Sequence, residues 1–186
     1  KKVFSLGKQP LANNFLKTSD EKQKEYPLDL YECQHCTLLQ LGKVVPKEEL
    51  YDEYTYIPSV SKVYLDHFNN LAIKIIRKIK LSKYSLVVDI GGSDGSFLEC
   101  FKGMRVINIE PAKNIKVKAG ISTIRSYFNS KIAKSIVAEH GKAKLVTATN
   151  SFAHIDNLRE YFEALDILLD EDGVFFPNEP AGVFNA

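Results

Sequence analysis

Residues 86–97 read LVVDIGGSDGSF, in which a run of branched apolar residues ends in an acid and is followed by glycine, serine and aspartate. The apolar run predicts a buried strand, and the glycines predict a tight turn that leads out of it into a helix. Ligands of parallel α/β sheets bind beyond the carboxyl ends of the strands. We therefore expect this turn to lie at a ligand site.

From residue 86 onward the chain alternates between two kinds of pattern. Strands are predicted at SLVVDI, RVINIE, GISTIRSY, KLVTATNSF and GVFF, the last entered through the Asp172-Gly173 turn. Helices are predicted between them at GSFLECFK, AKNIKVKAG, NSKIAKSIVAEHG and LREYFEALDILLD. Strands separated by helices form right-handed crossovers in a parallel sheet that is covered on both faces. The fold class is therefore α/β, with a Rossmann-like domain over residues 83–186.

The first part of the chain has a different pattern. Residues 1–58 contain prolines, short extended runs and a Cys-x-x-Cys pair, which predict a small β-rich module. Residues 59–82 carry apolar side chains at helical spacing, and Ser59 or Ser61 can cap the start of that helix. We interpret this segment as a connecting helix that ends near Lys80.

Composition excludes several classes of protein. The 186 residues carry 25 basic and 23 acidic side chains, a net charge of +2 that disfavours nucleic acid as a partner. No apolar run is long enough to span a membrane, and the start of the chain lacks the features of a secretory signal. Three cysteines do not make a disulfide framework, so we expect a soluble protein of the reducing cytoplasm.

Two classes of ligand commonly use a glycine turn of this kind, dinucleotides and S-adenosylmethionine. The dinucleotide fingerprint needs three spaced glycines, but here Ser93 occupies the second glycine position and Asp94 adds a carboxylate. A carboxylate repels a pyrophosphate and attracts the sulfonium and ammonium groups of S-adenosylmethionine. Glu110 ends the next strand about 20 residues on, where an acid can accept both ribose hydroxyls. The charges favour the methyl donor.

Several stretches together resemble one family. GKQPLANNFL, YPLDLYECQHCTLLQL, YDEYTYIPSVSKVYLDHF, VVDIGGSDGSFL, IEPAKN and TATNSFAHIDNL follow one another as in the class I methyltransferases that include sugar C-methyltransferases. The resemblance implies a zinc-ribbon-like N-terminal domain, a methyltransferase domain and a nucleotide-linked keto-deoxysugar as substrate. It extends to about residue 176.

The resemblance also implies roles for individual residues. His154 and Tyr56 would face the sugar and serve in catalysis, although a histidine in such a loop also occurs as a plain surface or cap residue. The residues implied to bind the cofactor are Asp89, Gly91, Gly92, Ser93, Asp94, Gly95, Glu110, Pro111, Asn150 and Phe152. For Phe152, core packing is the alternative.

Cys33 and Cys36 would be metal ligands, but they form only half of the four-thiolate zinc site that the resemblance implies. Relatives carry an earlier Cys-x-x-Cys pair and continue past the fifth strand into a further domain. We therefore expect this chain to be a fragment with an incomplete sheet, whose zinc content and activity by itself are open.

Two other functions are compatible with these motifs. One is a methyltransferase of a different small molecule, although the turn after the fourth strand lacks the prolines typical of nucleobase amine methyltransferases. The other is a non-catalytic module that binds a nucleoside or a protein partner.

Overall fold

The computed structural model describes residues 1–55 and 57–178, and the chain divides into two compact units between Tyr56 and Ile57. The first unit has a three-stranded antiparallel sheet of β1 (Lys2–Pro10), β2 (Glu25–Glu32) and β3 (Leu39–Leu41) in the order β1-β2-β3. A short helix, α1 (Lys47–Tyr51), follows it. The prediction of a β-rich N-terminal module is consistent with this sheet. The turn between β2 and β3 carries the Cys-x-x-Cys pair.

The second unit contains one parallel sheet. Its strands are β4 (Leu86–Ile90), β5 (Arg105–Ile109), β6 (Ser122–Ile124), β7 (Ala143–Thr149) and β8 (Leu169–Asn178). They lie in the order β6-β5-β4-β7-β8, and every neighbouring pair is parallel. The strand order reverses between β4 and β7, which places the ligand crevice of a Rossmann-like sheet at the carboxyl ends of these two strands. The predicted α/β class and Rossmann-like sheet are confirmed.

The two faces of this sheet are covered by different elements, because successive strand residues point to opposite sides. On one face Val87 and Leu145 pack against helix α2 (Lys62–Ile79) and the segment that follows β4. On the other face Val88 and Val146 pack against α3 (Ser130–His140) and α4 (Leu158–Leu168). All five residues of β4 are buried, as expected for the central strand of a parallel sheet.

Helix α2 begins and ends where its sequence predicts. The Ser61 side chain accepts a hydrogen bond from the backbone N–H of Tyr64, and Lys80 ends the helix in the left-handed conformation. Its apolar face includes Phe68, Ala72 and Ile75, which are buried in the second unit.

Two predicted helices are wrong. The segment GSFLECFK contains only a short 3-10 turn at Leu98–Phe101, and the segment AKNIKVKAG contains no helix. In the second segment, backbone groups form hydrogen bonds with residues outside the segment. The N–H of Lys118 donates to the carbonyl of Asp94 at 2.9 Å. The guanidinium of Arg125 donates to the carbonyls of Ala112 and Ile115. Tertiary hydrogen bonds thus replace the helical ones.

The predicted Asp172-Gly173 turn lies inside β8. The register between β7 and β8 shifts between Ala143 and Leu145. Ala143 pairs with Leu169 and Leu145 pairs with Val174, so residues 170–173 are left out of the pairing. A Cβ on Gly173 would lie 2.8 Å from the carbonyl oxygen of Ala143, which explains the glycine at this point.

We expect Phe68→Ala to lower the free energy of unfolding of the second unit by about 3–5 kcal/mol, because the Phe68 ring is 3% exposed and packs 4.9 Å from the ring of Phe97. The measurement is urea unfolding followed by circular dichroism. The control is Val63→Ala on the same helix, where the side chain is 80% exposed and the expected change is below about 0.5 kcal/mol. Equal effects of the two changes would contradict the packing of α2 on the sheet.

Candidate active site

The glycine turn after β4 has an unusual backbone. Gly91, Ser93 and Gly95 have φ angles of +73°, +50° and +79°. Such angles are in the left-handed region, which glycine adopts at little cost and which few serines adopt. The N–H of Gly91 donates to the carbonyl of Ile109 at 2.8 Å and ties the start of the turn to β5.

The three glycines of this turn lie against side chains of the protein. A Cβ on Gly91 would be 2.8 Å from the Cβ of Ser151, and one on Gly95 would be 2.6 Å from Cδ1 of Ile121. A Cβ on Gly92 would be 2.5 Å from Oδ1 of Asn108 and 2.7 Å from Oδ2 of Asp89. The glycines therefore allow the turn to lie directly on the ends of the neighbouring strands.

Glu110 follows β5 and bonds to the glycine turn. The residue is 6% exposed, Oε2 accepts from the N–H of Ser93 at 2.8 Å, and Oε1 accepts from the N–H of Ala112 at 2.8 Å. Burial raises the pKa of Glu110, while the two N–H donors and the positive charge of Arg125 oppose the rise. Each carboxylate oxygen keeps a second lone pair that can accept a hydroxyl.

The two aspartates at the site are less accessible than the sequence suggests. Asp89 is 1% exposed and accepts a hydrogen bond from the Thr147 hydroxyl at 2.7 Å, and Asp94 is 2% exposed and accepts from the N–H of Ser96 at 3.0 Å. Burial and the nearby charge of Glu110 raise the pKa of Asp89 to about 7, against the hydrogen bond from Thr147. These contacts support the turn, and a direct contact of either carboxyl with a cofactor stays a prediction.

The segment after β7 borders the same edge of the sheet, because β7 lies beside β4 and runs parallel to it. Asn150 has a φ of +54°, and its side-chain amide donates to the Tyr64 hydroxyl of α2. The ring of Phe152 packs 5.6 Å from the rings of Tyr161 and Phe175, so it contributes to the core whether or not it also contacts a ligand. Pro111 follows Glu110 at the same edge and is partly exposed.

Of the two predicted catalytic residues, only His154 is among the residues that the structure describes. His154 is an exposed residue of the short 3-10 turn Phe152–His154, close in sequence to the carboxyl end of β7. Tyr56 lies outside the described residues. Both catalytic roles stay predictions.

The sequence did not identify four residues that shape the site. Asn108, Thr147, Ser151 and Tyr64 bond to the turn, to β4 or to the segment after β7. Ser151, for example, donates its hydroxyl to the carbonyl of Ile90 at 2.7 Å. The signal that was available is a polar residue inside an apolar strand, as Asn108 is in RVINIE.

Cys33 and Cys36, the predicted metal ligands, are free cysteines in the turn between β2 and β3. The pKa of Cys33 is lowered, chiefly because the backbone N–H groups of Cys36 and His35 donate to its sulfur. Among residues 1–55 and 57–178, no group of three or more histidine, cysteine or acidic residues could hold a metal ion. The residues described therefore do not fit a complete tetrahedral zinc site.

None of the helices within the described ranges has the length and apolar character needed to cross a lipid bilayer.

Comparison with known proteins gives one family match and several relatives. Residues 1–51 match the family model described as "Putative zinc binding domain". The chain is 34% identical over 185 residues to the C-methyltransferase NovU of Streptomyces niveus, and the match covers 96% of this chain and 44% of that protein. The chain thus spans less than half of the length of the curated relative that it matches.

Solved methyltransferases are more distant. A SAM-dependent methyltransferase from Archaeoglobus fulgidus is 18% identical with a TM-score of 0.46, over 58% of this chain and 51% of that one. The plantazolicin methyltransferase BpumL is 15% identical with a TM-score of 0.46, over 61% of this chain and 45% of that one.

Gly91→Ala should destabilise the second unit more than Gly103→Ala. Both positions have positive φ, which costs an L-residue about 1–2 kcal/mol. At Gly91 the new methyl group also meets Ser151, which adds about 1–3 kcal/mol of overpacking, whereas at Gly103 nothing lies within 4 Å of the new Cβ. Urea unfolding measures both variants, and equal losses would mean that the turn does not lie against Ser151.

The pKa of Asp89 predicts a pH dependence of stability. Because the folded-state pKa is raised from 3.8 to about 7, the unfolded chain binds fewer protons between these values, and stability falls as pH rises through this window. The slope from this group is about 1.4 kcal/mol per pH unit. Asp89→Asn should flatten the unfolding free energy over the window, whereas Asp66→Asn, on the exposed side of α2, should leave the slope unchanged. An unchanged slope in Asp89→Asn would contradict the prediction.

Proposed function

We propose that this chain binds S-adenosylmethionine at the carboxyl ends of β4 and β5 and serves a C-methyltransferase. The observation that carries the proposal is the buried Glu110 carboxylate directly after β5, which is hydrogen-bonded to the glycine turn after β4. The turn after β4 borders the point where the strand order reverses, and Glu110 reaches it from the neighbouring strand, an arrangement typical of nucleoside sites in Rossmann-like sheets. In the proposed complex the second lone pairs of Glu110 accept the two ribose hydroxyls.

Hydrogen bonds within the turn argue against a dinucleotide. A pyrophosphate needs free backbone N–H groups at the start of a helix. Here the N–H groups of Gly91, Ser93, Gly95 and Ser96 already donate to Ile109, Glu110, Gly92 and Asp94 in that order. The turn is followed by a short 3-10 segment rather than by the predicted α-helix. A ligand without phosphate groups fits this turn better.

The 34% identical C-methyltransferase supports carbon as the methylated atom. For the substrate we propose a nucleotide-linked keto-deoxysugar, on the sequence resemblance described above. The cofactor supplies an electrophilic methyl group on a sulfonium. A carbon next to a ketone is acidic enough for a positioned general base to remove its proton. The resulting enolate carbon forms the new bond to the methyl carbon as the sulfur–methyl bond breaks, and the sulfur keeps the electron pair.

His154 and Tyr56 are the side chains that we propose for the proton transfer. His154 is exposed in the 3-10 turn that follows the carboxyl end of β7, the edge of the sheet at which we propose that the substrate binds. An imidazole is suited to the task, since its ordinary pKa lies near neutral pH.

Calorimetric titration with S-adenosylhomocysteine tests the cofactor. Glu110→Gln should weaken binding about tenfold or more, since hydrogen bonds to a charged acceptor are worth about 1.5–3 kcal/mol. The matched control is Glu163→Gln, an exposed residue of α4 that should leave affinity unchanged. Tighter binding of NAD than of S-adenosylhomocysteine would overturn the proposal.

Methyl transfer to a panel of dTDP-linked keto-sugars tests the reaction. His154→Asn should lower the rate about 10²- to 10⁴-fold while the affinity for S-adenosylhomocysteine is kept, as expected for a general base. Cofactor binding without turnover on any sugar would favour the non-catalytic module or a different small-molecule substrate.

A further inference from the structure

Asn108 is a fully buried polar residue inside β5. It is 0% exposed, and the register of the parallel sheet pairs it with Asp89 on β4. Burial of an amide and a carboxyl side by side is costly unless both are hydrogen-bonded.

The orientation of the Asn108 amide is set by the glycine turn. Its Nδ2 donates to the carbonyl oxygen of Ser93 at 3.0 Å. Rotation of the amide by a half turn would place Oδ1 against that carbonyl and leave two acceptors facing each other. Oδ1 of Asn108 is therefore directed away from Ser93.

Oδ1 of Asn108 and Oδ2 of Asp89 converge beneath Gly92. A Cβ on Gly92 would lie 2.5 Å from the first oxygen and 2.7 Å from the second. Both oxygens are buried, and neither receives a hydrogen bond from any residue in the described part of the chain. If Asp89 were ionised, two bare acceptors would share this space. A single proton on Oδ2 of Asp89 removes the conflict, because it gives Oδ1 of Asn108 a donor.

We propose that Asp89 is protonated in the folded protein and donates a hydrogen bond from Oδ2 to Oδ1 of Asn108. Asn108 is then a positioning residue for the cofactor turn. The chain of contacts runs from the carboxyl of Asp89 through the amide of Asn108 to the carbonyl of Ser93. The N–H of Ser93 in turn holds Glu110. Protonation of Asp89 thereby controls the affinity for the cofactor, an inference that rests on the function proposed above.

The charges around Asp89 agree with this assignment. Burial and the Glu110 carboxylate directly after β5 raise the pKa of Asp89 to about 7, and Thr147 on β7 opposes the rise with a hydrogen bond to Oδ1. Asp94, the acid within the turn, is also buried. Since the raised pKa belongs to an acid, the proton is present below about pH 7 and is lost above it.

The test compares the affinity for S-adenosylhomocysteine at about pH 6 and about pH 9, either side of the pKa, by calorimetry. The wild type should bind about tenfold more weakly at the higher pH, the cost of one buried hydrogen bond. Asp89→Asn supplies a permanent N–H in place of the proton, so its affinity should not change with pH. Asn108→Leu should bind about tenfold more weakly than the wild type at both values. The control is Glu163→Gln, an exposed residue of α4 outside the cofactor turn, which should behave as the wild type.

A second readout needs no cofactor. The infrared spectrum of the wild type at about pH 6 should show the band of a protonated carboxyl group. This band should disappear in Asp89→Asn. It should shift in Asn108→Leu, because that change removes the hydrogen-bond acceptor of the Asp89 carboxyl. If the band shows these changes but S-adenosylhomocysteine does not bind, the proposed function fails, whereas the hydrogen bond between protonated Asp89 and Asn108 is supported. Absence of the band, or equal pH dependence in the wild type and Asp89→Asn, overturns the pair. Should Asn108→Leu fail to fold, Asp89→Asn decides alone.

Discussion

The hydrogen bond between Glu110 and the backbone of Ser93 joins the ends of two neighbouring strands, and the geometry of the site depends on it. The turn after β4 has three residues with positive φ, a conformation that the backbone does not favour by itself. The bonds from the turn to Glu110, to Asn108 and to the carbonyl of Ile109 compensate for that cost. All three partners belong to β5 or directly follow it. The turn is thus shaped by β5 rather than by a following helix.

The glycines of the turn allow it to pack against side chains of the protein. They are commonly regarded as space for a ligand, but here a methyl group at each would meet Ser151, Asn108 or Ile121. The space they leave is filled by the protein. Four N–H groups of the turn donate to the protein itself, which favours a ligand held by its ribose over one held by a pyrophosphate.

The two buried acids Glu110 and Asp89 favour opposite charge states. Glu110 has two backbone donors and a nearby arginine, so its charge is partly compensated. Asp89 is fully buried and lies near the Glu110 carboxylate, and the single hydrogen bond from Thr147 does not offset these two effects, so its neutral form is favoured. Two carboxyls on adjacent strands are compatible with burial when one of them carries a proton.

The sequence by itself determined the order of layers, because branched apolar runs and amphipathic segments predict the parallel sheet and its helices. It also marked the ends of α2, at Ser59 or Ser61 and near Lys80, because periodicity and capping are local properties. The glycine turn and Glu110 were also readable from spacing. Tertiary structure alone decided that residues 112–120 are not helical, since Arg125 and Asp94 bind that backbone more favourably than its own turns do. It alone brought Asn108 beneath Gly92, because contacts between strands depend on register, and register is set by the packing of the whole sheet.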